Sequence, residues 1–336
     1  MLTNKKITAI PIAYRDEGNI EELYKRLTKV LSKITRNYEI IYVNDSSPDK
    51  SQEILERLAK KDKHLKVVLH SRNFGAQNAF TTGMRLSSGD AVVLMDGDLQ
   101  DPPELIEKFV EKWLQGFDVV YGVRRKREKS MGKLWELAYH GFYVLFNKLS
   151  YVKMPLDAGD FSLMDRKVVD QINELPEKDR FIRGLRAWVG FKQTGVEYVR
   201  PERFSGKSTN NFWKNLVWVR KAIFSFSFAP LEWVFYIALI SVSISLLAVM
   251  FYLISYFLIP DAPKGFLTIL IAVLFLGSVQ LVTLSIICEY IRRLFEEIKN
   301  RPVSIVQKVI NDDQKVKDDK NKMPNLWFKK ELRNTL

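Results

Sequence analysis

Cysteine and histidine are scarce in this sequence of 336 residues. The one cysteine, Cys288, excludes an intrachain disulfide framework and leaves too few thiolates for a cysteine-ligated zinc site. With only three histidines, a histidine-rich metal centre is not expected, and we predict ordinary surface or packing roles for His64, His70 and His140. Hydrophobic residues make up 47% and charged residues 27% of the chain, a composition that excludes a disordered or collagen-like protein.

Two common nucleotide-binding motifs are also missing. The sequence contains no G-x-x-x-x-G-K-[ST] loop and no G-x-G-x-x-G turn. Both motifs use glycine to bring the backbone close to phosphate groups. Their absence disfavours an ordinary ATPase and a dinucleotide-binding enzyme.

Charge is absent from two long apolar stretches towards the C-terminus. Residues 233–260 and 265–288 contain no Asp, Glu, Lys or Arg. A bilayer core needs about 20 helical residues, so each stretch is long enough to span it. The short connector contains proline and glycine, which end helices. The pattern predicts a transmembrane hairpin over 230–290, with spans at about 232–259 and 266–288; two buried core helices are the alternative.

Basic residues flank the predicted hairpin on both outer sides. Arg220 and Lys221 precede it, and Arg292 and Arg293 follow it, whereas the connector carries one Asp and one Lys. Lys and Arg are enriched on the cytoplasmic side of membrane proteins. The N-terminal residues also lack the apolar segment of a signal peptide. We therefore expect a multi-pass protein of the cell membrane with two spans, whose N-terminal domain and both termini are cytoplasmic.

The chain has a net charge of +13, and basic runs at 123–130 and 200–221 adjoin two aromatic segments. We expect these segments, 132–150 and 211–229, to be interfacial helices; packing of the first on the soluble domain is the alternative. Basic charge beside such helices favours anionic membrane lipid over nucleic acid, and we expect no nucleic-acid partner. Residues 291–336 are predicted to form a charged cytoplasmic tail.

Residues 1–210 alternate between strand-like and helix-like segments. Short aliphatic runs predict strands at 7–13, 39–45, 66–70, 91–96 and 118–122. Helical periodicity covers 19–33, 49–61, 75–87 and 103–115. This alternation predicts an α/β, Rossmann-like domain with a mainly parallel sheet covered by helices. Ligands of such sheets bind beyond the carboxyl ends of the strands.

Two of the predicted strands end in acidic residues. Asp45 closes the second strand, and Asp96 and Asp98 close the fourth, with Gly97 between them to let a ligand approach closely. Carboxylate oxygens suit Mg²⁺ or Mn²⁺, which also bind substrate phosphates. The pattern predicts a metal-assisted phosphate site; a calcium loop and a plain acidic turn are the alternatives.

The segment Leu94–Ile106, which reads LMDGDLQDPPELI, resembles the family-2 glycosyltransferases that act on polyprenyl phosphates. These include bactoprenol glucosyltransferases and dolichol-phosphate mannosyltransferases. The resemblance covers residues 7 to about 306 and continues through the segments 43–47 (VNDSS), 71–75 (SRNFG), 157–161 (DAGDF) and 203–208 (RFSGKS) and the double-span C-terminus. Each motif is modest alone, but the ordered set is specific, and the two-span form is most similar to the bacterial bactoprenol enzymes.

The resemblance implies a GT-A fold, a divalent cofactor (Mg²⁺ or Mn²⁺), and inverting transfer from a UDP-sugar to undecaprenyl or another polyprenyl phosphate. The product would donate sugar for cell-envelope glycan modification, and a homotetramer is permitted. Catalytic roles are implied for Asp160 and Asp157. The implied nucleotide-sugar-binding residues are Pro11, Tyr14, Glu17, Asp45, Arg72 and Asp96. The implied metal ligands are Asp96, Asp98 and Gln100, and the implied acceptor- or diphosphate-binding residues are Arg124, Arg127, Arg203 and Ser208.

The sequence departs from the family pattern at three places. Arg15 stands at the usual Asn of the first loop, Ser162 stands at the usual Arg after the 159–161 motif, and Ser208 is not followed by the usual Lys. Our hypothesis for the reaction is that Asp160 orients the acceptor or tunes its proton. Either Arg203 or the Arg124–Arg127 cluster would then supply the opposite charge.

Several alternatives concern the substrate and the class of protein. Glucose is the expected sugar, with N-acetylglucosamine, galactose and a mannose donor as alternatives. A processive polysaccharide synthase is a second enzyme hypothesis, although the Q-x-x-R-W signature is absent. A membrane-anchored nucleotide-sugar-binding scaffold without turnover is the non-enzyme hypothesis, and the retained aspartates argue against it. A transporter is disfavoured because two spans form no pathway unless subunits assemble.

Overall fold

The computed structural model describes residues 1–124, 152, 158–201, 224, 226–258 and 265–311. Its contacts divide the chain into two compact units. The sheet unit contains the described residues up to Pro201 and those from Arg301 onward, and the hairpin unit contains the described residues from Phe224 to Asn300. The predicted interfacial helix at 132–150 and most of the one at 211–229 lie outside the described residues.

The described part of the sheet unit is built on one eight-stranded sheet. The strands are β1 (Ile7–Ala13), β2 (Tyr38–Asn44), β3 (Leu65–His70), β4 (Ala91–Asp96), β5 (Val119–Arg124), β6 (Ala158–Asp165), β7 (Gln193–Tyr198) and β8 (Val306–Ile310). Their order across the sheet is β7-β5-β6-β4-β1-β2-β3-β8. β4, β1, β2 and β3 run parallel, whereas β6 is antiparallel to β4 and β5, and β8 is antiparallel to β3.

The composition of the central strands explains their position. β1 to β4 are nearly continuous aliphatic runs and are buried along almost their whole length. Such runs are typical of parallel strands that are covered on both faces. The five predicted strands are confirmed to within two residues at each end.

Helices of the sheet unit cover these strands. They are α1 (Ile20–Ile34), α2 (Ser51–Ala59), α3 (Ala76–Leu86), α4 (Leu105–Leu114), α5 (Arg166–Glu174) and α6 (Ile182–Trp188). In α1 the buried residues Ile20, Leu23, Leu27, Leu31 and Ile34 recur every three or four positions, which is the spacing of one helix face. The four predicted helices are confirmed to within two residues at each end.

The strand order reverses at β1. The chain adds β2 and then β3 on one side of β1 and afterwards crosses to place β4 on the other side. In open α/β sheets such a reversal leaves a crevice beyond the carboxyl ends of the strands, where ligands bind. The acidic residues that follow β2 and β4 therefore lie on the two sides of this crevice.

The hairpin unit contains α7 (Ala229–Leu258) and α8 (Phe266–Ile298). Two candidate membrane spans lie in them, Ala229–Phe251 and Ile271–Ile298, with mean hydropathies of 2.5 and 2.3. Within each helix, none of the 18 consecutive residues that qualify it as a candidate span is buried. Helices in the core of a soluble protein bury their apolar residues, so these helices do not match the alternative of two core helices.

The segment after the hairpin differs from the predicted charged tail at 291–336. α8 continues to Ile298, and β8 then pairs with the outer edge of β3. The side-chain amide of Asn311 secures the end of β8 because it lies within hydrogen-bond distance of three carbonyl oxygens between α2 and β3. A five-residue strand in a charged context carries little local signal, since its partner lies far earlier in the chain. Residues 312–336 lie outside the described part.

Candidate active site

Four carboxylates meet at one edge of the sheet, beyond β4 and beside β6. Asp96 is the last residue of β4, and Asp98 and Asp101 lie in the turn that follows it. Because β6 runs antiparallel to β4, its early residue Asp160 lies at the same edge. Asp98 and Asp101 are buried, at 6% and 1% exposure. The structure therefore brings together the predicted metal-binding turn and the predicted catalytic Asp160.

The carboxylates perturb one another electrostatically. Burial and the charges of Asp101, Asp98 and Asp160 raise the pKa of Asp96 to about 8, against the lowering effect of Arg124. Burial also raises the pKa of Asp101. Like charges brought out of water disfavour the ionised form, so this turn carries more negative charge than its surroundings stabilise. A bound cation would relieve that repulsion.

The donor set fits a divalent ion that is shared with substrate phosphate. Among the residues that the structure describes, no group of three His, Cys, Asp or Glu side chains could hold a metal ion by itself. Mg²⁺ is usually bound by one or two carboxylates together with substrate phosphates and water. Asp96 and Asp98 supply that number of carboxylates. The side-chain amide of Gln100 donates to the Pro201 carbonyl at 3.4 Å, and its metal-binding role stays a prediction.

The turn after β4 has a constrained backbone. A Cβ atom on Gly97 would lie 2.1 Å from the Ile12 carbonyl oxygen, so glycine is needed for β4 to pack against β1. This reason differs from the predicted one, which was close approach of a ligand. Leu99 has a φ of 61°, a left-handed conformation that leucine rarely adopts. The Gln100 N–H donates to Asp98 Oδ1 at 3.1 Å, which fixes the Asp98 carboxylate within the turn.

Arg124, predicted to bind phosphate, lies at the end of β5 beside the acidic turn. Its Nε donates to the Tyr198 hydroxyl oxygen at 3.4 Å, and Tyr198 donates to Asp101 Oδ1 at 2.9 Å. Burial would lower the pKa of Arg124, but Tyr198, Asp101 and Asp96 raise it above its ordinary value. The guanidinium therefore stays positively charged next to the carboxylates, where it suits a diphosphate.

Asp160 is held by two side chains that the sequence patterns did not single out. Gln77 Nε2 donates to Asp160 Oδ2 at 3.0 Å, and Arg183 Nε donates to Oδ1 at 3.2 Å. The Gln77 amide oxygen also accepts from the backbone N–H of Ile182 at 2.7 Å. Gln77 on α3 thus connects β6 with the start of α6.

Among the described residues, Asp160 forms an ion pair with Arg183, which the hypothesis did not name. The hypothesis named Arg203 or the Arg124–Arg127 cluster, of which Arg127 and Arg203 lie outside the described residues. Within the described part, Arg183 forms the ion pair, with its side chain 28% exposed. A sequence signal existed, because arginines recur at three-residue spacing just before and within α6.

The next arginine of α6 lies deeper. Arg186 is 1% exposed, its Nη2 lies 3.4 Å from the Gly159 carbonyl oxygen, and its guanidinium lies 5.1 Å from the centre of the Tyr121 ring. Burial lowers the pKa of Arg186 to about 10, although Asp160 acts in the opposite direction. The group remains protonated at neutral pH and adds positive charge beneath Asp160.

Asp45, at the end of β2, organises the loop that follows β3. Its Oδ1 accepts from the Phe74 N–H and contacts His70 Nδ1, both at 2.8 Å, and its Oδ2 accepts from the Gly75 N–H at 2.7 Å. Gly75 has a φ of +90°, which favours glycine. Arg72 is exposed, and its guanidinium lies 4.1 Å from the Phe74 ring centre. Two predicted nucleotide-binding residues, Asp45 and Arg72, thus belong to one loop structure.

The other predicted nucleotide-binding residues belong to β1 and its following loop. Pro11 is buried within β1, whereas Tyr14 and Glu17 are exposed in the loop. Glu17 accepts from the Lys50 N–H at 2.8 Å, which joins this loop to the one after β2. An open cleft of about 390 Å³ lies between the two loops. Asp157 and Ser208 lie outside the described residues, and their roles stay predictions.

The chain is similar in sequence to known proteins along most of its length. Residues 9–172 match the family model described as Glycosyl transferase family 2. The chain is 42% identical over 296 residues to an uncharacterized glycosyltransferase of Synechocystis sp., covering 87% of this chain and 92% of that protein. It is 38% identical over 303 residues to the bactoprenol glucosyl transferase of Shigella phage SfII, covering 90% of this chain and 98% of that protein. Glucosyl-3-phosphoglycerate synthase of Mycobacterium tuberculosis matches with a TM-score of 0.43 and 18% identity, over 65% of this chain and 77% of that one.

A mixed α/β sheet with an acidic turn after β4 is thus combined with sequence similarity along about nine-tenths of the chain. These features define a glycosyltransferase with a GT-A-like fold. The chain belongs to glycosyltransferase family 2, and within it to the bactoprenol glucosyl transferase type. The resemblance seen in the sequence is confirmed.

Proposed function

We propose that this enzyme transfers a sugar, with inversion, from a UDP-sugar to a polyprenyl phosphate such as undecaprenyl phosphate. The main support is the placement of the Asp160–Arg183 ion pair beside the acidic turn of Asp96, Asp98 and Asp101. This arrangement offers one place for a diphosphate and an adjacent place for an anionic acceptor. The relative from phage SfII is named a bactoprenol glucosyl transferase, which supports glucose and a polyprenyl acceptor here. The product would supply sugar for cell-envelope glycan modification.

The acceptor needs alignment more than it needs a strong base. A phosphomonoester has a second pKa of about 6, so it is largely ionised at neutral pH and is already nucleophilic. An isolated Asp160 carboxylate would repel this anion. Arg183 offsets that charge, so Asp160 can orient the acceptor phosphate or accept its residual proton. In this proposal Asp157, Arg203 and Ser208 assist at the acceptor end, and catalysis rests on positioning and charge compensation.

The donor would bind across the crevice from Asp45 to the acidic turn. Tyr14, Glu17 and Arg72 would surround the nucleotide together with Asp45. Asp96, Asp98 and Gln100 would hold Mg²⁺ or Mn²⁺, which supplies positive charge to the departing diphosphate. Arg124, held in its charged form by Tyr198 and Asp101, would add to that stabilisation, with Arg127 in support.

The acceptor's hydrocarbon tail accounts for the two apolar helices. Each buried CH₂ group contributes about 0.8 kcal/mol, so a long polyprenyl chain does not leave the bilayer. We propose that α7 and α8 span the membrane and keep the enzyme where its acceptor is. Two spans place both flanking segments on the same side, and their basic residues favour the cytoplasmic side.

The direct test incubates membranes that contain the full-length protein with undecaprenyl phosphate and radiolabelled UDP-glucose, UDP-N-acetylglucosamine, UDP-galactose or GDP-mannose. We expect label from UDP-glucose in an organic-extractable, acid-labile product. EDTA should abolish the transfer, and added Mg²⁺ or Mn²⁺ should restore it. A labelled water-soluble polymer would instead indicate a synthase, and UDP binding without any turnover would indicate a scaffold.

Asp160→Asn tests the catalytic assignment within the same assay. We expect kcat to fall by about 100-fold or more, because the amide carries no charge and cannot accept the acceptor's proton. Asp170→Asn is the matched control, since Asp170 is an exposed carboxylate that forms an ion pair with Arg166 along its own helix. Near-normal turnover of Asp160→Asn, in a protein with an unchanged melting temperature, would show that the assigned role is wrong.

A further inference from the structure

A buried row of polar side chains connects the segment after the hairpin with the end of β2. His70 Nδ1 lies 2.8 Å from Asp45 Oδ1, and His70 Nε2 lies 2.9 Å from Thr82 Oγ1. Thr82 Oγ1 in turn lies 2.6 Å from Ser304 Oγ. His70, Asp45 and Thr82 are 1%, 3% and 5% exposed. The sequence predicts an ordinary surface or packing role for His70, so this connection is a finding of the structure.

The hydrogen positions in this row follow from what each group can donate. Asp45 Oδ1 accepts, so His70 Nδ1 carries the hydrogen. In the neutral ring, Nε2 then accepts from the Thr82 hydroxyl, and the Thr82 oxygen accepts from the Ser304 hydroxyl. The Thr82 hydroxyl also lies 3.0 Å from the Asn78 carbonyl oxygen, which is a second acceptor for its hydrogen. The His70 ring contacts Thr82 on one side and donates to Asp45 on the other.

The segment that carries Ser304 is held at the end of β3 through Ile305 and Val306, the two residues that follow Ser304. The Ser71 N–H donates to the Ile305 carbonyl at 3.0 Å, and His70 is paired with Val306 in the sheet. Side chains that hold a functional group from behind set its rotamer and orientation. Because the His70 ring is hydrogen-bonded to Asp45, fixing the orientation of the ring also fixes the orientation of the Asp45 carboxylate.

Asp45 in turn fixes the backbone of a loop at the crevice. Its two oxygens accept the N–H groups of Phe74 and Gly75, which shape the loop between β3 and α3. The loop lies beyond the carboxyl ends of the parallel strands, where ligands of such sheets bind. We propose that His70, braced by Thr82 and Ser304, is a positioning residue for the nucleoside diphosphate of the donor. That Asp45 binds the nucleotide rests on the proposed function. The further inference is that the chain segment after the hairpin, through Ser304, helps to hold Asp45 in position.

The test uses purified full-length protein in detergent, with UDP as the binding probe and UDP-glucose as the substrate. His70→Leu removes both ring nitrogens, whereas His70→Asn keeps an N–H near the position of Nδ1. Ser304→Ala and Thr82→Val remove the outer links of the row. His64→Leu is the matched control, because His64 pairs with Asp62 at 2.9 Å just before the opposite end of β3.

We expect His70→Leu to raise the Kd for UDP and the KM for UDP-glucose by about 10-fold, the effect of losing a hydrogen bond to a charged group. Its kcat should change by less than about threefold, since the acceptor end is untouched. His70→Asn should retain more affinity than His70→Leu, and Ser304→Ala and Thr82→Val should show smaller shifts in the same direction. His64→Leu should behave as the wild type.

A second readout separates this inference from the proposed function. Amide hydrogen exchange at Phe74 and Gly75 needs no nucleotide, and we expect it to accelerate in His70→Leu and Ser304→Ala. Unchanged UDP affinity and unchanged exchange in a folded His70→Leu protein would overturn the positioning role. If His70→Leu does not fold, the same absence of change in Ser304→Ala and Thr82→Val would overturn it. A wild type that binds no UDP would overturn the nucleotide role together with the proposed function.

Discussion

At the scale of single residues, Arg183 forms an ion pair with Asp160, the proposed catalytic residue. Asp160 lies at the edge of the acidic turn, and its side chain is 12% exposed. Carboxylates brought together out of water repel one another and any incoming phosphate. Arg183 is placed to offset the Asp160 charge, and its side chain is 28% exposed. In the proposed reaction, Asp160 would orient the anionic acceptor and Arg183 would supply the opposite charge.

Replacing Arg183 by Ala should lower kcat/KM for undecaprenyl phosphate by about 100-fold, comparable to the loss of one charge-stabilising donor. Arg183→Lys should recover part of the activity, because it restores the charge without the planar donor geometry. Arg57→Ala is the matched control, since Arg57 pairs with Glu21 on the surface. Steady-state assays at varied acceptor concentration measure the effect. A fully active Arg183→Ala enzyme would contradict the role given to the pair.

Local sequence patterns identified the acidic residues of the candidate active site better than the side chains that hydrogen-bond to them. Asp45, Asp96 and Asp98 end predicted strands, so strand prediction alone places them at the crevice. The contacts of Asp160 with Gln77 and Arg183 depend on how α3 and α6 pack against β6, and no local periodicity reports that packing. The pairing of His70 with Asp45 was hidden for the same reason, because it joins neighbouring strands across the sheet.

At the scale of secondary structure elements, Glu39 joins the amino ends of three adjacent strands. Its carboxylate accepts from the Thr8 hydroxyl at 2.6 Å and from the Ser88 N–H at 2.7 Å, and Lys6 Nζ lies at 3.2 Å. Thr8 belongs to β1, Glu39 to β2, and Ser88 to the turn before β4. This cluster lies at the opposite end of the strands from the crevice. It secures the parallel core without contacting the proposed substrates.

The Glu39 cluster makes a pH-dependent contribution to stability. Burial would raise the pKa of Glu39, but hydrogen bonds from Thr8 and Ser88 and the charge of Lys6 lower it below its ordinary value of 4.5. The contribution is therefore fully present above about pH 4.5 and is lost as the pH falls through the lower folded pKa. Glu39→Gln should destabilise the protein by about 1–3 kcal/mol at pH 7.

Thermal unfolding of the wild type and Glu39→Gln between pH 7 and pH 3 measures this effect. The gap between the two melting temperatures should be widest at neutral pH and should narrow below about pH 4.5. Glu53→Gln, at an exposed position of α2, controls for the loss of a surface carboxylate. A gap that stays constant across this pH range would mean that the Glu39 charge contributes nothing.

Helices and strands with strong local sequence patterns were predictable, whereas β8 was not. The central strands and the first four helices follow from aliphatic runs and helical spacing, because burial on one or both faces imposes those patterns. β8 is short, lies among charged residues, and becomes a strand only through pairing with β3. Because β8 forms through a contact with a distant part of the chain, the sequence around Val306–Ile310 does not predict it.

At the scale of the whole molecule, two candidate spans lie between segments of one globular unit, which would constrain the topology of the chain in a membrane. Residues before α7 and residues after α8 both contribute to the sheet unit. A globular sheet cannot be threaded through a bilayer, so an inserted hairpin must leave and return on the same side. The sequence prediction that both flanks share one side is thereby given a structural reason.

Site-directed labelling should establish which side this is. In a Cys288→Ser background, Asp261→Cys in the connector should react with a membrane-impermeant maleimide in intact spheroplasts. Lys5→Cys and Asn321→Cys should react only after permeabilisation, because basic flanks favour the cytoplasm. Retained transferase activity of each variant serves as the control for folding. Labelling of Lys5→Cys in intact spheroplasts would contradict the proposed orientation.

The position of β8 at the far edge of the sheet has a consequence for biogenesis. During translation, β1 to β7 leave the ribosome before both apolar helices, and β8 leaves after them. Until then the outer edge of β3 exposes unpaired N–H and C=O groups, a state prone to pairing with other chains. The last strand therefore covers this edge only once the hairpin has been synthesised. The sheet unit is completed only after both apolar helices have been made.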